Sequence, residues 1–157
     1  MTNTKTNAMR ILDKKKIPYK TYSYSADGST TGIEIAEILH QNPKQVFKTL
    51  VTTGKTGNHY VFMIPVAEEL DLKKAALTVG EKNIEMLKQK DLLPLTGYIH
   101  GGCSPIGMKK LFKTTIDSSA QNFATIIFSA GAIGHQVELS VQDLNSVIPL
   151  IFADIIA

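Results

Sequence analysis

Residues 101–107, with the sequence GGCSPIG, combine three glycines and one proline within seven positions. Because glycine accepts positive φ and proline lacks an amide hydrogen, this stretch predicts a loop and excludes a helix or a central strand. Tyr98 and Ile99 precede the loop, and Lys109 and Lys110 follow it. Main-chain N–H groups in such a loop can hold a carbonyl, carboxyl or phosphate oxygen. A glycine-rich turn between strands that binds nothing is the alternative interpretation.

Lys48 lies in the run QVFKTLV at residues 45–51, whose β-branched and aromatic residues are typical of a largely buried strand. With a side-chain period of two, Lys48 shares one face with Val46 and Leu50. A charged edge strand that resists aggregation, or a lysine whose ammonium reaches water past a covered stem, would explain it structurally. Together with the glycine loop, it indicates instead a cation that lines a pocket and meets a substrate phosphate or carbonyl.

Length and composition bound the class of protein. A chain of 157 residues fits one domain, which we expect to span residues 1–157 and to bury roughly 68–70% of its unfolded surface. The net charge of +3 is compatible with RNA contact without being diagnostic of it. A single cysteine excludes an internal disulfide framework, and with no apolar signal-peptide core or membrane-length stretch, a cytoplasmic protein is expected.

The hydrophobic pattern alternates between helical and strand-like segments. Helices are predicted at residues 5–16, after the capping box of Thr31 and Glu34, after Asp71, and after Ser140. Strands are predicted at residues 19–24, 45–51, 59–66, 114–117, 123–129 and 135–139. Residues 82–93 are mixed and end at the helix breaker Pro94, and the apolar tail at 150–157 is expected to dock back. This order predicts a single α/β domain of the α+β type, with a mixed, mainly antiparallel sheet.

Several kinds of chemistry lack their motifs. The four histidines show no HxxH or HExxH spacing, and one cysteine cannot form a CxxC zinc site. Neither GxxxxGK[ST] nor GxGxxG occurs, and no GxSxG marks a serine hydrolase. We therefore expect neither a metal nor another cofactor.

Cys103 is the candidate nucleophile, with His100 three residues before it. A catalytic cysteine needs thiolate character and a base within hydrogen-bonding reach, whereas a free cysteine more often packs as a small hydrophobe. A cationic pocket residue and a loop of backbone donors suit substrate positioning and oxyanion stabilisation better than covalent catalysis.

Several motifs in register closely resemble the YbaK family of free-standing aminoacyl-tRNA deacylases, which are relatives of the bacterial prolyl-tRNA synthetase editing domain. The similarity covers nearly the whole chain. The motifs are VFKTL at 46–50, PV at 65–66 with LDLKK at 70–74, TGY at 96–98, the GGCSPIG loop, and FADI at 152–155. The resemblance implies a single domain with a mixed sheet curled around a small pocket and surrounded by helices.

The resemblance also assigns site residues. Lys48 matches the family's functional lysine, which contacts the 3′-terminal nucleotide. Gly101 and Pro105 match the GxxxP loop, whose backbone holds the aminoacyl end of the substrate, and Gly102 and Ser104 lie within the same loop.

Other positions follow from the same comparison. Tyr24, Thr49 and Ser129 fall at pocket positions and complete the substrate-binding set. Many relatives carry an acidic residue where this chain has Gln136, so no role is assigned to that side chain. Relatives usually have an aliphatic residue at the position of Cys103, which favours the packing interpretation.

The reaction implied by the resemblance is hydrolysis of mischarged aminoacyl-tRNA in trans. In the cysteine-editing branch, the thiol of Cys-tRNA(Pro) attacks the carbonyl of its own ester, which releases the tRNA and a cyclic thiolactone. Two alternatives stay open: clearance of alanine from tRNA(Pro) by an activated water, and a non-catalytic module that binds tRNA or a synthetase. The expected partners are aminoacylated tRNA(Pro) and prolyl-tRNA synthetase, with no membrane.

Overall fold

The computed structural model describes residues 5–26 and 29–157. Within them the helices are α1 (Asn7–Lys14), α2 (Gly32–Ile38), α3 (Leu72–Val79), α4 (Gln89–Thr96) and α5 (Val141–Val147), with a 3₁₀ turn at Ser118–Asn122. The strands are β1 (Lys20–Ser23), β2 (Phe47–Gly54), β3 (His59–Pro65), β4 (Ile84–Met86), β5 (Lys113–Asp117), β6 (Thr125–Ala132), β7 (His135–Ser140) and β8 (Leu150–Ala153). The α+β class predicted from the sequence is confirmed.

The described strands form two hydrogen-bonded sheets. One is antiparallel, in the order β1-β7-β6, and the other is mixed, in the order β4-β2-β3-β5-β8. In the mixed sheet β5 runs parallel to β3 and to β8, and the other pairs are antiparallel. A bridge between Val46 and Ile127 connects the two sheets just before β2 begins. The start of β2 therefore lies where the sheets meet.

Helix starts follow the predicted caps. Thr31 and Glu34 form a reciprocal capping box at α2, because each side chain accepts the other's backbone N–H. The Asp71 carboxylate accepts from the first turn of α3, and the Ser140 hydroxyl accepts from Asp143 in α5. Gly80 then ends α3 with a φ of 76°, a left-handed conformation that glycine adopts without a steric penalty.

Helix α4 and the C-terminal tail test two predictions for the second half of the chain. The prediction that Pro94 ends its segment is wrong, since α4 contains Pro94 and continues to Thr96. Proline removes one helical hydrogen bond, but the helix ends within a turn, where the Gly97 N–H donates to the Leu93 carbonyl at 2.8 Å. The predicted docking of the tail is confirmed, because β8 adds a strand to the mixed sheet beside β5.

The central strand β3 is buried on both faces. Met63 packs in the main core, which also contains Leu12, Phe128 and Leu144 from α1, β6 and α5. Phe62 points the other way, into a second core that includes residues of α3. Strand β3 is thus a rigid support for its neighbour β2, which carries Lys48.

Candidate functional site

Strand β2 is paired unevenly on its two sides. It pairs with β3 over Phe47 to Thr53, whereas β4 pairs only with Thr52 to Gly54. Beyond its start, Val46 makes the bridge to β6. The stretch between these two contacts, residues 47–51, borders a cavity of about 510 Å³. Strand β2 is therefore not an edge strand in the usual sense, but part of one side opens onto this cavity.

The cavity follows the open side of β2 rather than one face of it. Lys48 and Thr49 point to opposite faces of a strand, yet both line the cavity. The Val66 N–H donates to the Val46 carbonyl on the β3 side, and the Leu87 N–H donates to the Val51 carbonyl on the other side. Because these directions alternate along a strand, the backbone N–H and C=O of Thr49 point toward the cavity.

Five of the predicted site residues line this cavity. They come from the segment after β1, from β2, from the glycine loop and from β6: Tyr24, Lys48, Thr49, Gly101 and Ser129. The structure thus brings together residues that are up to 105 positions apart in the sequence.

Lys48 is half-buried on the cavity wall. Burial lowers the pKa of its ammonium, and the carboxylates of Glu69 and Glu68 partly counteract this effect. The ammonium has lost part of its hydration, and no carboxylate of the described residues forms an ion pair with it at bonding distance. Such a cation suits the binding of a ligand phosphate or carbonyl oxygen.

Thr49 places a buried hydroxyl beside Lys48. Its Oγ1 is buried and has no hydrogen-bond partner among the residues that the structure describes. An unpaired buried hydroxyl is unfavourable unless a ligand or water satisfies it. Because this oxygen is shielded from solvent, Thr49 meets the cavity through its backbone N–H and C=O rather than through its hydroxyl.

Internal contacts fix the conformation of the glycine loop. Gly101 has a φ of 86° and lies on the cavity wall. The Gly102 N–H donates to the Ile99 carbonyl at 3.0 Å, and a Cβ on Gly102 would lie 3.0 Å from the Ile133 backbone nitrogen in the β6–β7 turn. The Tyr98 hydroxyl donates to the Ile106 carbonyl and so anchors the far end of the loop. The loop is preorganised before any ligand binds.

Three predicted substrate-binding residues of this loop do not line the main cavity. Gly102 packs against the β6–β7 turn, and the fully buried Ser104 accepts the Ile106 N–H through its Oγ at 3.3 Å. Pro105 lines a second, smaller cavity of about 60 Å³. They support the loop, and their contact with a substrate stays a prediction.

Cys103 faces the cavity but is chemically unsuited to be a nucleophile. It is 9% exposed and packs with Val51, Val61 and Tyr98. Burial raises the pKa of its thiol to about 12, so the thiolate is scarce at neutral pH. His100 also lines the cavity but is itself exposed. These observations favour the packing interpretation of Cys103.

Sequence reasoning missed several parts of the wall. Gln89 and Leu92 of α4 line it, although the mixed pattern of residues 82–93 indicated no clear element. Gly32, at the start of α2, also lines it, and this residue packs so closely against Val66 that a Cβ there would lie 2.7 Å from Val66 Cγ1. Gln136, to which no role was assigned, lines it from β7.

Neither a metal centre nor a membrane-spanning helix occurs among the described residues. They contain no group of three or more His, Cys, Asp or Glu side chains placed to hold a metal ion. In the same part of the chain, every helix is too short or too polar to span a bilayer.

Comparison with known proteins adds family information to this geometry. One relative, from Enterococcus faecalis, bears the name Cys-tRNA(Pro)/Cys-tRNA(Cys) deacylase EbsC. It is 46% identical to this chain over 155 residues, which cover 98% of this chain and 94% of the relative. A solved structure described as a trans-editing enzyme for prolyl tRNA synthetase superposes with a TM-score of 0.84 at 21% identity, covering 98% of this chain and 99% of that one. The structure of the hypothetical protein APE2540 superposes with a TM-score of 0.85 at 18% identity, covering 94% and 97%.

The two solved structures support the fold alone, because their sequence identity to this chain is low. The family follows from the sequence. Residues 26–147 match the profile of the aminoacyl-tRNA editing domain, and this segment contains Lys48, the glycine loop, Ser129 and Gln136. The chain belongs to the aminoacyl-tRNA editing domain family.

Proposed function

We propose that this aminoacyl-tRNA deacylase clears cysteine from tRNA(Pro) in trans, and that the thiol of the substrate itself attacks the aminoacyl ester. The observation that carries the proposal is the make-up of the cavity wall. It combines one lysine with a preorganised backbone loop, and the one cysteine of the chain is buried there as a protonated thiol. Such a site positions a substrate and stabilises developing charge.

The proposed reaction needs no group from the protein as nucleophile. The substrate thiol loses its proton, and its sulfur forms a bond to the ester carbonyl carbon. The bond from that carbon to the ribose oxygen of the terminal adenosine breaks, and the oxygen takes up a proton. The products are free tRNA and a cyclic thiolactone, which water opens to cysteine.

The residues have distinct parts in this step. The Lys48 ammonium meets a phosphate or the ribose of the terminal adenosine and so directs the ester toward the glycine loop. The backbone at Gly101 lies where the carbonyl oxygen gains negative charge. The backbone N–H and C=O of Thr49, which point toward the cavity, complete the contacts with the substrate.

The choice of cysteine rests on the Enterococcus faecalis relative, whose name gives Cys-tRNA(Pro) and Cys-tRNA(Cys) as substrates. The net charge of +3 is small for an RNA-binding protein, which fits a weak binder that takes its tRNA selection from prolyl-tRNA synthetase. The isolated protein is then a poor discriminator among tRNA bodies. The cytoplasm, where thiols stay reduced, is the proposed location.

A panel of charged tRNAs tests the proposal. Purified protein is incubated with Cys-, Ala- and Ser-tRNA(Pro), Cys-tRNA(Cys) and S-methylcysteinyl-tRNA(Pro), and the remaining ester is measured over time. We expect both cysteine esters to disappear rapidly and the S-methyl ester to persist, because its sulfur cannot form the thiolactone. Rapid loss of alanine alone would assign the alanine-editing reaction. Salt-sensitive binding without deacylation would instead support a non-catalytic module.

Cys103→Ala is expected to keep most of the activity and to lower thermal stability only slightly, because a small buried side chain is replaced by a smaller one. Deacylation of Cys-tRNA(Pro) and thermal melting measure both effects. In the unchanged protein, iodoacetamide should label Cys103 far more slowly when folded than when unfolded, since burial raises the pKa of the thiol to about 12. An inactive but normally stable alanine variant, with an acyl-cysteine adduct trapped in the parent protein, would make Cys103 the nucleophile.

A further inference from the structure

Gln136 contributes an amide to the cavity wall. It is 4% exposed, and in β7 its Cα lies opposite Ser129 of β6 and Tyr22 of β1. The Gln41 Nε2 donates a hydrogen bond to the Gln136 Oε1 at 2.8 Å. Because a hydrogen bond fixes this buried side chain on the side away from the cavity, its orientation toward the cavity is defined.

The backbone after α2 holds Gln41 in place. His40 has a φ of 54°, which is uncommon for a residue other than glycine, and the Gln41 N–H donates to the Ala36 carbonyl at 2.8 Å. This turn directs the chain back toward β7. The Gln41 Oε1 is buried without a hydrogen-bond partner among the described residues, so the bond to Gln136 is the contact that orients both amides.

The orientation determines which atoms of Gln136 a ligand meets. With its Oε1 bonded to Gln41, the side chain presents its Nε2 hydrogens to the cavity. The Gln136 amide is therefore an uncharged donor on this wall.

The charges around this donor are not balanced. The titratable groups that line the cavity with Gln136 are Lys48 from β2, Tyr24 from the segment after β1, His100 just before the glycine loop and Cys103 within it. No carboxylate is among the described residues of the lining, and Glu69 and Glu68, whose carboxylates act on Lys48 through their charge, lie outside it. On the neighbouring strands, Glu138 accepts the Tyr22 hydroxyl and lies outside the lining. A buried ammonium without a carboxylate partner, near a second cation, is strongly disfavoured.

We propose, on the basis of the function proposed above, that Gln136 selects the aminoacyl group with its α-amine uncharged, by donating an amide hydrogen to the nitrogen lone pair. Gln41 is the positioning residue, because it turns the donor side of Gln136 toward the substrate. The aminoacyl end thus loses a proton when it enters the cavity. Its affinity rises with pH until the free α-amine is fully neutral.

A binding experiment tests this without relying on turnover. The probe is adenosine that carries S-methylcysteine through a 3′-amide, which cannot be hydrolysed and has no titrating thiol. Its Kd is measured by calorimetry at about pH 6 and about pH 8.5, on either side of the ordinary α-amine pKa of about 7.7–8.0. For the unchanged protein we expect tighter binding at the higher pH, by roughly fiftyfold, which is the change in the neutral fraction of the amine. A probe without the amine should bind with no such dependence.

Variants separate the donor from its support. Gln136→Glu supplies a carboxylate for the ammonium, so the ratio of the two Kd values should fall below about fivefold. Gln136→Met removes the donor that selects the neutral amine, so it should weaken binding mainly at the higher pH and also lower the ratio. Gln41→Glu should also reduce the ratio, because its carboxylate accepts from Gln136 Nε2 and turns the Gln136 carbonyl oxygen toward the substrate. Gln41→Met leaves the Gln136 amide free to turn over, so the ratio should fall to a value between those of the unchanged protein and Gln136→Met. Thermal melting shows which variants are folded.

The outcomes are distinct. A ratio near one in the unchanged protein, or a full ratio kept in folded Gln136→Glu or Gln41→Glu, overturns the role of the amide pair. If the protein binds the probe with the expected ratio but deacylates none of the charged tRNAs, the proposed function fails while the selection of the uncharged amine stands. If it deacylates Cys-tRNA(Pro) but binds the probe equally well at both pH values, the proposed function stands and the selection of the uncharged amine fails.

Discussion

Replacing Lys48 by methionine is expected to lower kcat/KM for deacylation of Cys-tRNA(Pro) by about a hundredfold or more, the loss typical of removing one preorganised electrostatic contact. Methionine keeps the length of the apolar stem, so the change removes the ammonium with little loss of packing. Single-turnover and steady-state assays give the size of the effect. Lys48→Arg should recover only part of the activity, because a planar guanidinium differs in shape from a compact ammonium.

Stability should respond differently from activity. Burial lowers the pKa of Lys48 in the folded protein, so folding disfavours the charged form at every pH below the unfolded pKa. The Lys48 ammonium therefore detracts from stability at neutral pH, and this effect fades as the pH rises toward the unfolded value. Lys48→Met should melt at the parent's temperature or slightly above it.

A matched control is available on the same hairpin. Lys55 is exposed in the turn between β2 and β3 and is absent from the cavity lining. Lys55→Met removes the same charge from the net balance and should leave kcat/KM nearly unchanged. Equal losses of activity in the two variants would point to overall charge as the cause. Full activity in Lys48→Met would show that the Lys48 ammonium has no part in deacylation.

Local sequence signals identified the parts of the site that conflict with simple folding rules. A lysine in an apolar strand and a cluster of glycines with a proline are both unusual within a few residues, so Lys48 and the glycine loop could be found without any knowledge of the fold. The individual role of Gly101 came from the family resemblance. Helix caps such as Thr31 and Asp71 were equally local, and the structure contains them. Features that depend on residues nearby in the sequence could therefore be predicted.

The rest of the cavity wall is formed by residues that are distant in the sequence and meet only in the folded chain. Gln41 and Gln136 are 95 residues apart, and each is an ordinary polar residue in its own segment. Their pairing depends on the positive φ at His40, which no local sequence pattern predicts. Helix α4 was missed because Pro94 indicated a stop, whereas Leu92 and Leu95 of this helix pack against a buried cluster. Strand β4 has only three residues, too few to show an alternating pattern.

Gly101→Val is expected to reduce deacylation by about a hundredfold, because a small displacement of the groups that hold the reacting ester is enough for such a loss. Gly101 has a φ of 86°, where a β-branched residue is strained by roughly 1–2 kcal/mol. The loop can relieve this strain only by moving its backbone, and that backbone lies on the cavity wall. The measurement is kcat/KM for Cys-tRNA(Pro) beside a thermal melt.

Gly57→Val separates the strain from its location. Gly57 has a φ of 89° in the β2–β3 turn, and no atom of the described residues lies within 4 Å of the place where its Cβ would be. The variant therefore carries similar backbone strain away from the cavity, so it should lose similar stability and keep its activity. If Gly57→Val and Gly101→Val lost activity alike, strain anywhere in the fold would explain the result. Loss confined to Gly101→Val ties catalysis to the backbone conformation of the glycine loop.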